Sequence, residues 1–260
     1  MRTAGLILLI GAELPAAEEV TFRADRMEHV LVLKQVYLNG QGPFRLMIDT
    51  GAASCVIRPA IAKQLALRPV YRVQQDTPSG LKPVPAVILD EVRVGQASDR
   101  AVEAMVTDVV VRGIDGVLGQ SWLVRHNYLL DYRGRRLVLD AREPDRGVMA
   151  ALRTSDGRPC IAAKVDGRPQ ELVIDSGASN LILFERSTMA GEAAEIMMVL
   201  TNSGSMESGT RMSRIEIGGV YSRAMMAAVV NAPRRPGLLP AAAFASVYIS
   251  NREGVVVLVP

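Results

Sequence analysis

The chain has 260 residues, 49% of them hydrophobic and only 4% aromatic, with 30 basic and 27 acidic side chains. That length allows two lobes of roughly 100–130 residues each and ample material for a core. The net charge of +3 is scattered, with short basic pairs only at Arg135-Arg136 and Arg234-Arg235, so a nucleic-acid surface is not implied.

The chain opens Met1-Arg2, runs through an apolar stretch from Ala4 to Ala12, and reaches the small residues Ala16-Ala17. A positive start, a short apolar run and small residues predict a signal peptide over residues 1–17, hence export to a periplasm or beyond the cell. That run is too short to span a bilayer, and no later segment reads as transmembrane. Next come Val30-Leu31-Val32-Leu33 and Val36-Tyr37-Leu38, the turn Asn39-Gly40, and the apolar run Leu46-Met47-Ile48 leading into Asp49-Thr50-Gly51-Ala52. Asn-Gly between apolar runs predicts a tight hairpin, with Asp49 just past its second strand. A strand at Cys55-Val56-Ile57 and a short helix around Pro59 to Leu67 follow.

The same order returns in the second half. Cys160 to Val165, the turn Asp166-Gly167 and Leu172-Val173-Ile174 lead into Asp175-Ser176-Gly177-Ala178. A strand at Leu181-Ile182-Leu183 and a helix around Arg186 to Met197 are expected next. Val92-Arg93-Val94-Gly95 is answered by Ile215-Glu216-Ile217-Gly218, and Gly116-Val117-Leu118-Gly119 by Gly237-Leu238-Leu239-Pro240. Short helices are expected around Ser121-Trp122-Leu123 and around Ala241 to Phe244. Each half closes on a strand, a turn and a strand, the turns being 132–135 and 251–254. Short strands with regular turn signals predict an all-β chain. Two copies are too few, and too long, for a solenoid. A polar linker is expected over about 143–158, dividing lobes 18–145 and 146–260.

Other chemistries fail on inventory. Only His29 and His126 are present, expected as surface or capping residues, and no Gly-x-Ser-x-Gly occurs. Nucleotide-binding glycine patterns are absent too. No Cys or His cluster has metal-ligand spacing, so neither a metal nor another cofactor is expected. Cys55 and Cys160 sit in apolar runs of different halves and are expected as buried free thiols.

The paired Asp-Thr/Ser-Gly-Ala motifs, a flap-like hairpin with turn residues Thr77-Pro78-Ser79-Gly80, and Val117-Leu118-Gly119 resemble the aspartic proteases of the retropepsin and pepsin type. The short halves resemble retropepsin-like members, including exported bacterial ones; carrying both loops on one chain resembles pepsin. The resemblance implies a two-lobed acid-protease β-barrel fold with short helices and a pseudo-twofold internal duplication. It implies an aspartic endopeptidase acting on peptide or protein substrates, with Asp49 and Asp175 as catalytic residues. Thr50 and Ser176 would tie the two active loops together, and Gly51 and Gly177 would let the backbone approach the carboxylates. Val56 and Ile182 are candidate pocket walls or plain core, and Ser79 and Gly80 would cover substrate from the flap.

Two carboxyls sharing one proton can activate water on one side and polarise a carbonyl on the other. Ala52 and Ala178 offer neither acid a side-chain hydrogen bond, where pepsin-like members often carry a hydroxyl. The pair should therefore be less acidic, with an optimum at mildly acidic to near-neutral pH. One departure from the pattern is Pro240, standing where the family has Gly. It could start the following helix without strain or mark a drifted lobe. The alternative is a catalytically inactive peptide- or protein-binding module on the same fold. With both lobes in cis, a monomer suffices.

Overall fold

The computed structural model describes residues 18–21, 23–24, 31–77, 80–109, 111–185, 196–201, 204–233 and 235–260. The first half contains β1 (Glu18–Thr21), β2 (Arg23–Ala24), β3 (Leu31–Leu38), β4 (Gln41–Ile48), β5 (Cys55–Ile57), α1 (Pro59–Gln64), β6 (Tyr71–Thr77), β7 (Gly80–Val94), β8 (Ala97–Val106), β9 (Gly116–Leu118), α2 (Gln120–Leu123), β10 (Tyr128–Asp131) and β11 (Arg136–Leu139). The second contains β12 (Val148–Ala151), β13 (Arg153–Ser155), β14 (Arg158–Val165), β15 (Arg168–Asp175), β16 (Leu181–Glu185), β17 (Ile196–Thr201), β18 (Gly204–Ile217), β19 (Tyr221–Asn231), β20 (Gly237–Pro240), a 3-10 turn (Ala241–Ala243), β21 (Ser246–Ser250) and β22 (Val255–Val259).

The all-β expectation holds, and the duplication extends to topology. One eight-stranded sheet has the order β2-β3-β4-β9-β5-β8-β7-β6 with a further β3–β7 pairing. The other has the order β13-β14-β15-β20-β16-β19-β18-β17 with a further β14–β18 pairing, which is the same arrangement strand for strand. A six-stranded sheet, β1-β11-β10-β21-β22-β12, takes three strands from each half. At its centre β10 meets β21, with Leu129 opposite Tyr248 and Leu130 opposite Val247. A large apolar core runs through both halves and includes Leu33, Trp122, Leu130, Leu172, Val247 and Leu258.

The hairpin turns form as their sequences dictate. Asn39-Gly40 has φ of 50° and 73°, and Asp166-Gly167 has 51° and 76°. These left-handed pairs suit Asn, Asp and Gly and match the twist of the flanking strands. Each turn is also clasped by the long strand beneath it. The Asn39 side chain accepts the Glu91 N–H at 3.1 Å, and the Asp166 carboxylate accepts the Arg214 N–H at 2.8 Å.

Some expectations need correction. The polar stretch 143–158 is not plain linker, because β12 pairs with β22 and β13 with β14. The helix expected over 186–197 falls mostly outside the described residues, and Ile196 and Met197 open β17 as strand. The signal peptide, His29 and Ser79 also lie outside the described residues. His126 is not a surface residue. It is buried against Trp122, with ring centroids 4.5 Å apart, and its Nε2 lies 2.7 Å from the Asp99 carboxylate. Cys55 and Cys160 are buried free thiols, as expected.

Candidate active site

Parallel pairing sets the two loops. In the first half β4 runs beside β9, with Ile48 opposite Leu118, and the Asp49 N–H donates to the Leu118 carbonyl at 3.1 Å. In the second half β15 runs beside β20, with Asp175 opposite Pro240. Each aspartate thus leaves the end of a buried strand at the same point of the same topology.

Between the loops lies a reciprocal set of four hydrogen bonds. Thr50 Oγ1 donates to the Ile174 carbonyl at 2.6 Å and accepts the Ser176 N–H at 2.9 Å. Ser176 Oγ donates to the Ile48 carbonyl at 3.0 Å and accepts the Thr50 N–H at 3.0 Å. Thr50 is 0% exposed and Ser176 2%, so every one of these groups would be orphaned if its partner were lost. The Thr50 carbonyl is satisfied separately, by Gln120 Nε2 at 2.9 Å.

The two carboxyl groups face each other across this brace. Asp49 is 6% exposed and Asp175 8%. Gly51 donates its N–H to Asp49 at 2.9 Å, while Gly177 and Ala178 donate theirs to Asp175 at 2.7 and 3.1 Å. The glycines touch the opposite acid. A Cβ on Gly51 would lie 2.5 Å from the Asp175 carboxyl carbon, and one on Gly177 would lie 3.1 Å from that of Asp49. Only a residue without a side chain lets the two loops approach this closely.

Burial and mutual repulsion move the titration. Asp49 is raised from 3.8 to about 8, first by burial and then by the charge of Asp175, against the pull of the backbone N–H groups. Asp175 is also raised, chiefly by burial, and is opposed by the Gly177 N–H. The carboxyls hydrogen bond each other, so their titrations are coupled and belong to the pair. Behind Asp175, the buried Tyr132 phenol is pushed up by burial and then by that carboxylate's charge.

The remaining expected residues fall into two groups. Ala52 and Ala178 sit in the loops beside the acids and contribute backbone only. Val56 packs in a small cluster with Met47 and Val117, and Ile182 in another with Phe184 and Val230; both are buried. Gly80 opens β7 opposite Thr77 at the far end of the flap-like hairpin.

Several residues carried no readable signal. Gln120 has no counterpart in the second half, where Ala241 follows Pro240, so the internal comparison could not single it out. Glu103 joins three elements: Ser54 Oγ donates to it at 3.1 Å, the Tyr71 hydroxyl donates to its other oxygen, and Ser121 Oγ donates to its backbone carbonyl at 2.8 Å. Asp76 and Arg235, 159 residues apart, form an ion pair between the halves.

Residues 34–122 match the family model described as aspartyl protease. No curated protein matches the chain. Among solved structures, a retropepsin-like aspartic protease from Rickettsia conorii is 17% identical with a TM-score of 0.37, the alignment covering 48% of this chain and 91% of that one. Among the described residues no helix is long and apolar enough to cross a membrane. The matched stretch carries the first of the two acidic loops, and the second lies outside it.

Proposed function

We propose that the protein is an aspartic endopeptidase that hydrolyses peptide bonds with a water activated between Asp49 and Asp175. The observation that carries this reading is the buried carboxyl pair itself, hydrogen bonded together and cradled by N–H donors from both loops. With one proton between them, the ionised carboxylate takes a proton from water as it attacks the carbonyl. The protonated carboxyl donates to the carbonyl oxygen. Collapse of the tetrahedral intermediate returns a proton to the leaving amine. Two carboxyls sharing one proton are the established catalytic pair of aspartic proteases.

Thr50 and Ser176 hold the two loops at fixed separation, which is the positional demand of a shared water. An extended peptide lying along the cleft would meet Val56 on one side and Ile182 on the other, beneath the hairpin of β6 and β7. We further propose action as a monomer with lobes 18–145 and 146–260, after export directed by residues 1–17.

Turnover of a mixed peptide library, with and without a statine-type peptide, tests the reading. Cleavage that the statine abolishes is expected. Peptide binding without turnover, from acid to mildly alkaline pH, would favour a binding module on the same fold.

A further inference from the structure

The hairpin of β6 and β7 is fastened at both ends. At its base the Tyr71 hydroxyl donates to Glu103, whose other oxygen accepts Ser54 Oγ from the Asp49 loop at 3.1 Å. Near its tip Asp76 leaves the first half altogether and meets Arg235 NH1 at 2.6 Å. Arg235 precedes β20, and its guanidinium lies 3.9 Å above the centre of the buried Phe184 ring. Phe184 is two residues beyond Ile182 on β16, and Ile182 is the partner of Leu238 on β20. Residues two apart on a strand share a face. Asp76 on β6 therefore reaches across to the second half, beside the strand that carries Ile182 and Phe184.

We propose that the Asp76–Arg235 ion pair is a releasable latch that straps this hairpin across the cleft, and that a substrate must break it to enter. The two fastenings differ in kind. The base is a hydrogen-bonded network that includes the half-buried Ser54 and Glu103. The tip is an exposed pair, with Asp76 62% and Arg235 41% accessible. An exposed ion pair is weak and screened by salt, as a catch that must open repeatedly requires. The Phe184 ring aligns the guanidinium and limits its freedom, so Arg235 waits in place when the hairpin closes. The latch itself stands on geometry; its bearing on substrate entry rests on the proteolytic reading above.

Amide hydrogen exchange over residues 71–76 of the full-length, substrate-free protein tests the latch without reference to activity. In low salt, Asp76→Asn and Arg235→Gln should each raise exchange there by about two- to fivefold, the range of one exposed ion pair. Added salt should do the same to the unmodified protein and little to either variant. The swap Asp76→Arg with Arg235→Asp should restore both protection and salt response, which a purely structural loss at either site would not. Exchange unmoved by the single variants, or a swap that restores nothing, would overturn the latch. If peptides are cleaved, the single variants should lower KM or speed association while kcat stays constant. A latch that exchange establishes in a protein that cleaves nothing would leave the latch standing and remove the proteolytic reading, and with it the role in substrate entry.

Discussion

Gly119 donates its backbone N–H to the Cys55 sulfur at 3.4 Å, and its counterpart Pro240 has no N–H to donate. Cys55 and Leu181 each follow their aspartate by six residues and hold the same strand position, paired with Ala104 and Ala227. An apolar Leu thus stands opposite the residue that makes no demand for an acceptor. Pro240 has φ of −64° and caps the 3-10 turn that follows, a conformation its ring already favours. Proline here fits its half; no distortion of the Asp175 loop follows from it.

The two positions should therefore respond in opposite ways. Gly119→Ala would drive a Cβ to 2.4 Å from the Ser54 carbonyl, against backbone that cannot yield. Severe loss of folded protein is expected. Pro240→Gly adds a donor without an acceptor and frees the chain, for about 1–3 kcal/mol of destabilisation by denaturant titration. Activity per folded molecule should be retained.

The cross-loop brace makes its own prediction. Thr50→Val leaves the Ser176 N–H and the Ile174 carbonyl without partners in a buried setting. Two such orphans cost about 2–4 kcal/mol together. Ser176→Ala should cost a similar amount, since it orphans the matching pair. Equilibrium unfolding checks both, and a double variant should cost less than the sum, because the four bonds form one unit.

The glycines beside the acids should grade in effect. A Cβ on Gly51 meets the Asp175 carboxyl at 2.5 Å, whereas one on Gly177 meets that of Asp49 at 3.1 Å. Displacement of a reacting group by about 1 Å can cost on the order of 10²-fold in rate. Gly51→Ala should lose about that much in kcat, and Gly177→Ala clearly less, by steady-state assay.

The raised acids also set a pH dependence of stability. Asp49 titrates near 3.8 when unfolded and at about 8 when folded. A raised carboxyl favours the folded state fully below the unfolded value, and that contribution is lost as pH climbs through the folded value. The protein should weaken from about pH 4 toward about pH 8. Asp49→Asn, which is neutral throughout, should be more stable than the unmodified protein at pH 8, and the gap should close toward pH 4. Thermal unfolding at the two ends of that window is the check.

Much of this was legible in the sequence because duplication exposes what both halves need. The Asn-Gly and Asp-Gly turns, the two Asp-Thr/Ser-Gly loops and the buried runs before them recur in both halves, at turn-to-aspartate spacings that differ by one residue. Residues used by one half only were silent. Gln120 answers to Ala241, Glu103 has Met226 in its strand position, and Asp76 and Arg235 meet only through the tertiary fold. His126 read as a surface residue because nothing local announces that Asp99 and Trp122 enclose it. The strands β12 and β13 hid in a polar stretch because each is short and has few buried side chains.

The most direct measurement of the central claim is kcat for Asp49→Asn, Asp175→Asn and the double variant, each verified as folded, on a peptide that the unmodified protein cleaves. Groups that act as one unit lose their effect together. Each single change should lower kcat by on the order of 10³-fold or more, and the double change should add little further. Substantial activity in either single variant, or two modest losses that simply multiply in the double, would contradict a water shared between these two carboxyls.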